Sequence, residues 1–205
     1  MPLACIAPHC RCEMEKSADE AQQQSNEGPN KRLTVAEKLE RAQVYKEEGN
    51  AMFRENRVKA AMGKYHRCLL FVRGAEEHGE PEHMSTLTKS KLPPELQQRA
   101  NQLKVDCYNN LAACLLKVEE ANMRRVISCC DSVLALCPNN AKAMYRKGVA
   151  YYKLNDFDIA LGIFQQAKQH VHKSDASVNN YLQLCQKAIQ EFKKKEKKSY
   201  QKMFV

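Results

Sequence analysis

The chain has 205 residues, 43% of them hydrophobic, and a formal net charge of +9, which is enough apolar material for one or two small domains and excludes disorder throughout. Only 7 glycines and 7 prolines occur, and long stretches are rich in Ala, Leu, Lys, Glu and Gln, so the composition favours an all-α protein. The positive excess points to anionic partners, and no stretch approaches the roughly 18 to 20 apolar residues that a membrane-spanning helix needs.

Residues 1–33 are polar, lack a sustained apolar period and read as a disordered leader. Its first residues, MPLACIAPHC, lack the charged lead and long apolar run of a secretory signal, so the expected location is cytoplasmic. Cys5, His9, Cys10 and Cys12 stand close together, yet no second ligand cluster of matching spacing follows, and no metal or cofactor is expected. Of the 10 cysteines, seven fall inside apolar helical patterns, which reads as reduced thiols. Cys68, Cys107, Cys114, Cys130 and Cys185 are taken as small core residues, and Cys129 is expected to face outward.

Helical periodicity begins at Thr34, where Glu37 three positions on completes a capping-box pattern. Leu39, Ala42, Tyr45, Gly49, Met52 and Phe53 then recur at helical spacing. A turn at residues 55–57 leads into a second helix, VKAAMGKYHRCLLFVRG. Residues 74–100, with their Gly, Pro and charged residues, read as an inserted loop, the next helix reaching back to about residue 95.

Two later helix pairs share the register of the first. Gly49, Ala112 and Gly148 hold the tight position of a first helix; Ala61, Val126 and Ala160 fall near the start of a second; Tyr65, Cys130 and Phe164 follow four residues later. Residues 112 and 148 are 36 apart, close to the roughly 34-residue period of tetratricopeptide (TPR) helix pairs, and the insert accounts for the longer first interval. Helices that cross closely need Gly or Ala at the crossing, with an aromatic ring filling the space beside it. After Pro138 and the third pair, Val178, Leu182, Cys185, Ile189 and Phe192 form one stripe on a long final helix. The expected architecture is therefore an α-solenoid of three TPR helix pairs plus a C-terminal capping helix: repeat one over about 36–73, the loop over 74–100, repeat two over 101–137, repeat three over 138–172 and the cap over 175–202. A capped stack has no need to oligomerise, so a monomer is expected.

The stretches YKEEGNAMF, NNLAACLLK, PNNAKAMYRKGVAYYKLNDFDIALGIFQQA and KKEKKSYQKMF resemble the repeat domains of immunophilin-type co-chaperones. The order of inserted loop, DCYNNLAACLL and a final MF is more similar still to the tetratricopeptide-repeat-protein-nine family, over residues 36–204. No peptidyl-prolyl isomerase domain is expected ahead of it. The resemblance implies a non-catalytic adaptor whose concave face grips the free C-terminus of a seventy- or ninety-kilodalton heat-shock chaperone ending in Glu-Glu-Val-Asp. The family's carboxylate clamp falls on Lys46, Asn50, Asn110, Lys142 and Arg146.

Spacing supports the same five residues. Lys46 with Asn50, and Lys142 with Arg146, are four apart and share a helix face, and an amide at Asn110 can donate to a carboxylate without adding another positive charge. Asn109 points elsewhere on this reading, as a satisfied or exposed amide, and Leu111, Ala112, Cys114 and Leu115 are packing residues. One rival is binding of nucleic acid or an anionic membrane through Lys193, Lys194, Lys195, Lys197 and Lys198, whose sparse aromatics favour a solvated helix end instead. Another is a scaffold for a different protein partner. Catalysis is not expected, since no Ser-His-Asp or Cys-His motif and no phosphate-cradling glycine loop occurs.

Overall fold

The computed structural model describes residues 33–77, 92–118, 122–170 and 176–203. Cys5, His9, Cys10 and Cys12, the rest of the leader and the middle of the inserted loop lie outside the described residues. Among these, seven helices occur and no strand: α1 (Val35–Arg54), α2 (Val58–Glu77), α3 (Pro94–Lys117), α4 (Met123–Leu136), α5 (Ala141–Lys153), α6 (Phe157–Gln169) and α7 (Ala176–Met203).

Local chemistry sets where these helices start and stop. The Thr34 hydroxyl accepts from the backbone N–H of Glu37 at 3.3 Å while the Glu37 carboxylate accepts from the backbone N–H of Thr34 at 2.7 Å, so two of the donors a helix start leaves orphaned are satisfied. Asn122 and Asn140 cap α4 and α5 through their side-chain oxygens. The tight turns of the first and third pairs use the same device, a left-handed asparagine: Asn56 at φ 59° and Asn155 at φ 66°. Asparagine is among the few residues with a side chain that accept this conformation readily.

Of the helices flanking the insert, α3 starts about where the sequence places it, and α2 runs further than expected. α2 continues to Glu77 and α3 begins at Pro94, inside the segment read as loop. Proline in a helix's first turn costs nothing, because the N–H it lacks would have had no partner there. Ala75, Leu92 and Ala100 are all buried in the core shared by α1, α2 and α3.

Packing is sequential. Each of α1 to α6 packs on its neighbours in the chain; α1 also touches α3 and α3 touches α5, while α2, α4 and α6 do not approach one another. First helices therefore form an inner layer and second helices an outer one, which is the solenoid arrangement. The tight positions work as their spacing implies. A Cβ on Gly49 would meet the Tyr65 ring at 2.7 Å, and one on Gly148 would meet the Phe164 ring at 2.8 Å. Tyr65, Phe164, Ala112 and Cys130 are each at most 1% exposed. In the second pair the small thiol of Cys130 stands where the others place a ring, and alanine at position 112 suffices.

Cys68, Cys107, Cys114, Cys130 and Cys185 are buried, and burial pushes the Cys114 thiol up to about 11 and that of Cys130 to about 12, which keeps both protonated and inert. Cys129 departs from expectation. It is half-buried between the cores on either side of α3, because α4 packs broadly against that long helix.

The final helix covers the third pair. Tyr181 stacks on Phe164 with ring centroids 5.1 Å apart and meets Tyr145 and Tyr152 edge-on, an aromatic set that seats α7 on α5 and α6. Phe192 does not continue this seam: it is 64% exposed, because α7 outruns the helices beneath it.

Candidate functional site

The inner layer brings α1, α3 and α5 side by side, and their facing side chains form one polar band. On α1, the Lys46 ammonium reaches across to the Asp106 carboxylate of α3 at 3.1 Å. One turn further along both helices, the Asn110 amide donates to Asn50 Oδ1 at 2.9 Å. Tyr65 of α2 donates its hydroxyl to the same oxygen, also at 2.9 Å. Burial pushes the Tyr65 phenol up to about 12, so it stays protonated and remains a donor. With Asn50 Oδ1 accepting twice, the amide N–H groups of Asn50 have no partner among the described residues, while the Asn110 amide also lies within hydrogen-bond reach of the Tyr65 hydroxyl.

On α5, Arg146 Nη1 donates to Asn109 Oδ1 at 2.9 Å. Burial lowers the Arg146 pKa, yet a guanidinium stays charged, so this is a partly desolvated cation held by a neutral acceptor. Most of its donor fork has no partner among the described residues. Lys142, one turn before it on the same helix, is exposed. The three cations and two amides expected from spacing thus stand on adjacent inner helices, four of them linked to one another or to α3 by direct hydrogen bonds, with Lys142 beside them on α5.

Three further side chains belong to this band. Tyr65 looked like a core ring and is one, but its hydroxyl also orients Asn50. Asp106 stands four residues before Asn110, a spacing that places both on one helix face and could have flagged it. Asn109 is 8% exposed and is satisfied by Arg146, so it does not simply point away. No local signal marks that contact, which exists because α5 packs against α3. Asn109→Ala is expected to cost about 1 kcal/mol of folding stability, since it strips a buried donor of its acceptor. Urea denaturation measures it.

No cluster of three His, Cys, Asp or Glu side chains able to hold an ion occurs among the described residues. Nor is any described helix long and apolar enough to cross a membrane. The site offers hydrogen-bond donors and positive charge on adjacent inner helices, which suits carboxylates.

No family model matches the chain. Tetratricopeptide repeat protein 9C of Xenopus tropicalis is 37% identical over 167 residues, covering 81% of this chain and 93% of that protein. Among solved structures, the C-terminal TPR-containing domain of an FK506-binding protein from Plasmodium falciparum superposes with a TM-score of 0.65 at 26% identity, covering 79% of this chain and 97% of that one. The Hsp90 co-chaperone Cns1 from Saccharomyces cerevisiae gives a TM-score of 0.61 at 27% identity, over 82% of this chain and 45% of its own.

Proposed function

The chain belongs to the tetratricopeptide repeat protein 9 family, and we propose that it is a non-catalytic adaptor whose inner groove binds the acidic C-terminal peptide of a seventy- or ninety-kilodalton heat-shock chaperone. One observation carries the reading: the donors of Asn50, Lys142 and Arg146 that no described group takes up share the face formed by α1, α3 and α5, beside the Asn110 amide. A terminal carboxylate and the side-chain carboxylate beside it need such a set, because charge-assisted hydrogen bonds to each oxygen offset the loss of water. The likeness to an Hsp90 co-chaperone supports the same choice of ligand.

The test is fluorescence polarisation with a labelled peptide ending in Met-Glu-Glu-Val-Asp. Binding in the micromolar range, about 8 kcal/mol, is expected for the free carboxylate. Amidating the C-terminus, or changing Lys142→Ala, is expected to weaken binding at least tenfold, each removing one half of a charged pair. Equal binding of the free and amidated peptides would rule out a carboxylate site. A second reading rests on the end of α7, where Lys193, Lys194, Lys195, Lys197 and Lys198 are all exposed on a helix that outruns the solenoid. Anion binding there would fall steeply with salt and vanish on truncation at residue 191, with Lys142→Ala having no effect.

A further inference from the structure

We propose that Asp106 is a resident competitor in the groove, an internal carboxylate that occupies Lys46 until a ligand carboxylate displaces it. The inference rests on the carboxylate-binding reading above and concerns which residue limits its strength.

Asp106 presents both oxygens purposefully. Oδ2 lies 3.1 Å from Lys46 Nζ, while Oδ1 accepts from Gln102 Nε2 at 2.9 Å on the same helix, one turn back. The pair is shielded from water on the Lys46 side, whose side chain is 16% exposed, against 34% for Asp106. It is therefore stronger than a fully solvated ion pair and weaker than a buried one. Asp106 also sits one turn from Asn110, so its charge lies beside the position a ligand's carboxylate must take.

Two consequences follow for an incoming anion. Either it shares Lys46 with Asp106, placing two negative charges a few ångströms apart, or it drives Asp106 off. Both outcomes subtract from the free energy of binding. Arg146 and Lys142 carry no such cost: Arg146 is bonded to a neutral amide, and Lys142 has no acidic partner among the described residues. A ligand that brings two carboxylates gains fully at these two cations even where its gain at Lys46 is discounted.

The substitution Asp106→Asn isolates the charge. It keeps the Oδ1 acceptor for Gln102 and the shape of the side chain, and frees Lys46. The expected result is tighter binding of the Met-Glu-Glu-Val-Asp peptide by about three- to fivefold, the size an ion pair of this exposure carries. Asp131→Asn is the control: Asp131 pairs with Lys147 between α4 and α5, so this change alters net charge equally without touching the groove band. Tightening by Asp106→Asn alone supports the competitor, including the case where only this variant binds measurably. Unchanged or weaker binding by a folded Asp106→Asn protein overturns it and makes Asp106 a support for Lys46, leaving the carboxylate site standing. Equal tightening by both substitutions reduces the effect to bulk charge and overturns it as well. No binding by the wild type or by Asp106→Asn overturns the carboxylate reading itself and this inference with it.

Discussion

Arg146→Ala is expected to weaken binding of the acidic peptide by about a hundredfold or more, the largest effect of any single change at the site. Truncating one partner of a desolvated charge pair costs about 2 to 5 kcal/mol, because the ligand carboxylate is left without its counter-charge. Arg146 is half-buried and partly desolvated, and Asn109 already fixes its orientation through the 2.9 Å bond. Less side-chain freedom is lost when the ligand arrives. Arg146→Lys is expected to rescue only part of the affinity, since an ammonium cannot hold Asn109 and grip a carboxylate with a planar fork at once. Titration calorimetry of the three proteins checks this. Full rescue by lysine would mean that only charge matters at this position, and that the hydrogen bond to Asn109 contributes nothing to binding.

Gly148→Val is the second change with a large expected effect, on folding rather than on binding. Any Cβ at this position lands 2.8 Å from Phe164, whose ring is fully buried and stacked on Tyr181, so it has nowhere to move. Valine adds two methyl groups to that clash. Overpacking of this kind typically costs about 1 to 3 kcal/mol and sometimes more, and a β-branched residue recovers little of it through helix propensity. Loss of about 3 kcal/mol is expected, read as a lower urea midpoint with the slope unchanged. Gly162→Ala supplies the contrast. Nothing lies within 4 Å of a Cβ there, so alanine is expected to stabilise by about 0.5 to 1 kcal/mol, the helix-propensity difference alone. The double variant Gly148→Val, Phe164→Leu should recover part of the loss if the ring is the obstacle, and none of it otherwise.

These two residues also show how differently the parts of the molecule are written into the chain. Gly148 could be placed from its register with Gly49 and Ala112, because repeats bury equivalent positions in equivalent ways, and a glycine in a helix needs a reason. The helix start at Thr34 and the turn over residues 55–57 were legible because capping and tight turns depend on a few adjacent residues, whereas the left-handed turn at Asn155 was not singled out. The backward reach of α3 to about residue 95 was legible too, but the extension of α2 to Glu77 was not, since the Gly and charged residues there resemble loop markers.

At the site, four-residue spacing on single helices identified Lys46 with Asn50 and Lys142 with Arg146. It could not say what each would touch. That Asp106 takes Lys46, that Asn50 and Tyr65 join Asn110, and that Asn109 holds Arg146 are contacts between helices 15 to 60 residues apart in the chain. Cys129 and Phe192 were misjudged for the same reason: periodicity assigns a face to a helix, but burial also needs a neighbour, and α3 supplies one for Cys129 while no described helix beneath the end of α7 covers Phe192. By itself, then, the sequence determined the helical class, the three-pair register and the residue types offered to the groove, because those follow from local periodicity and volume. Only the tertiary structure decided which polar groups are already spent on one another and which are left for a ligand, because hydrogen bonding across helices is set by their relative position in space.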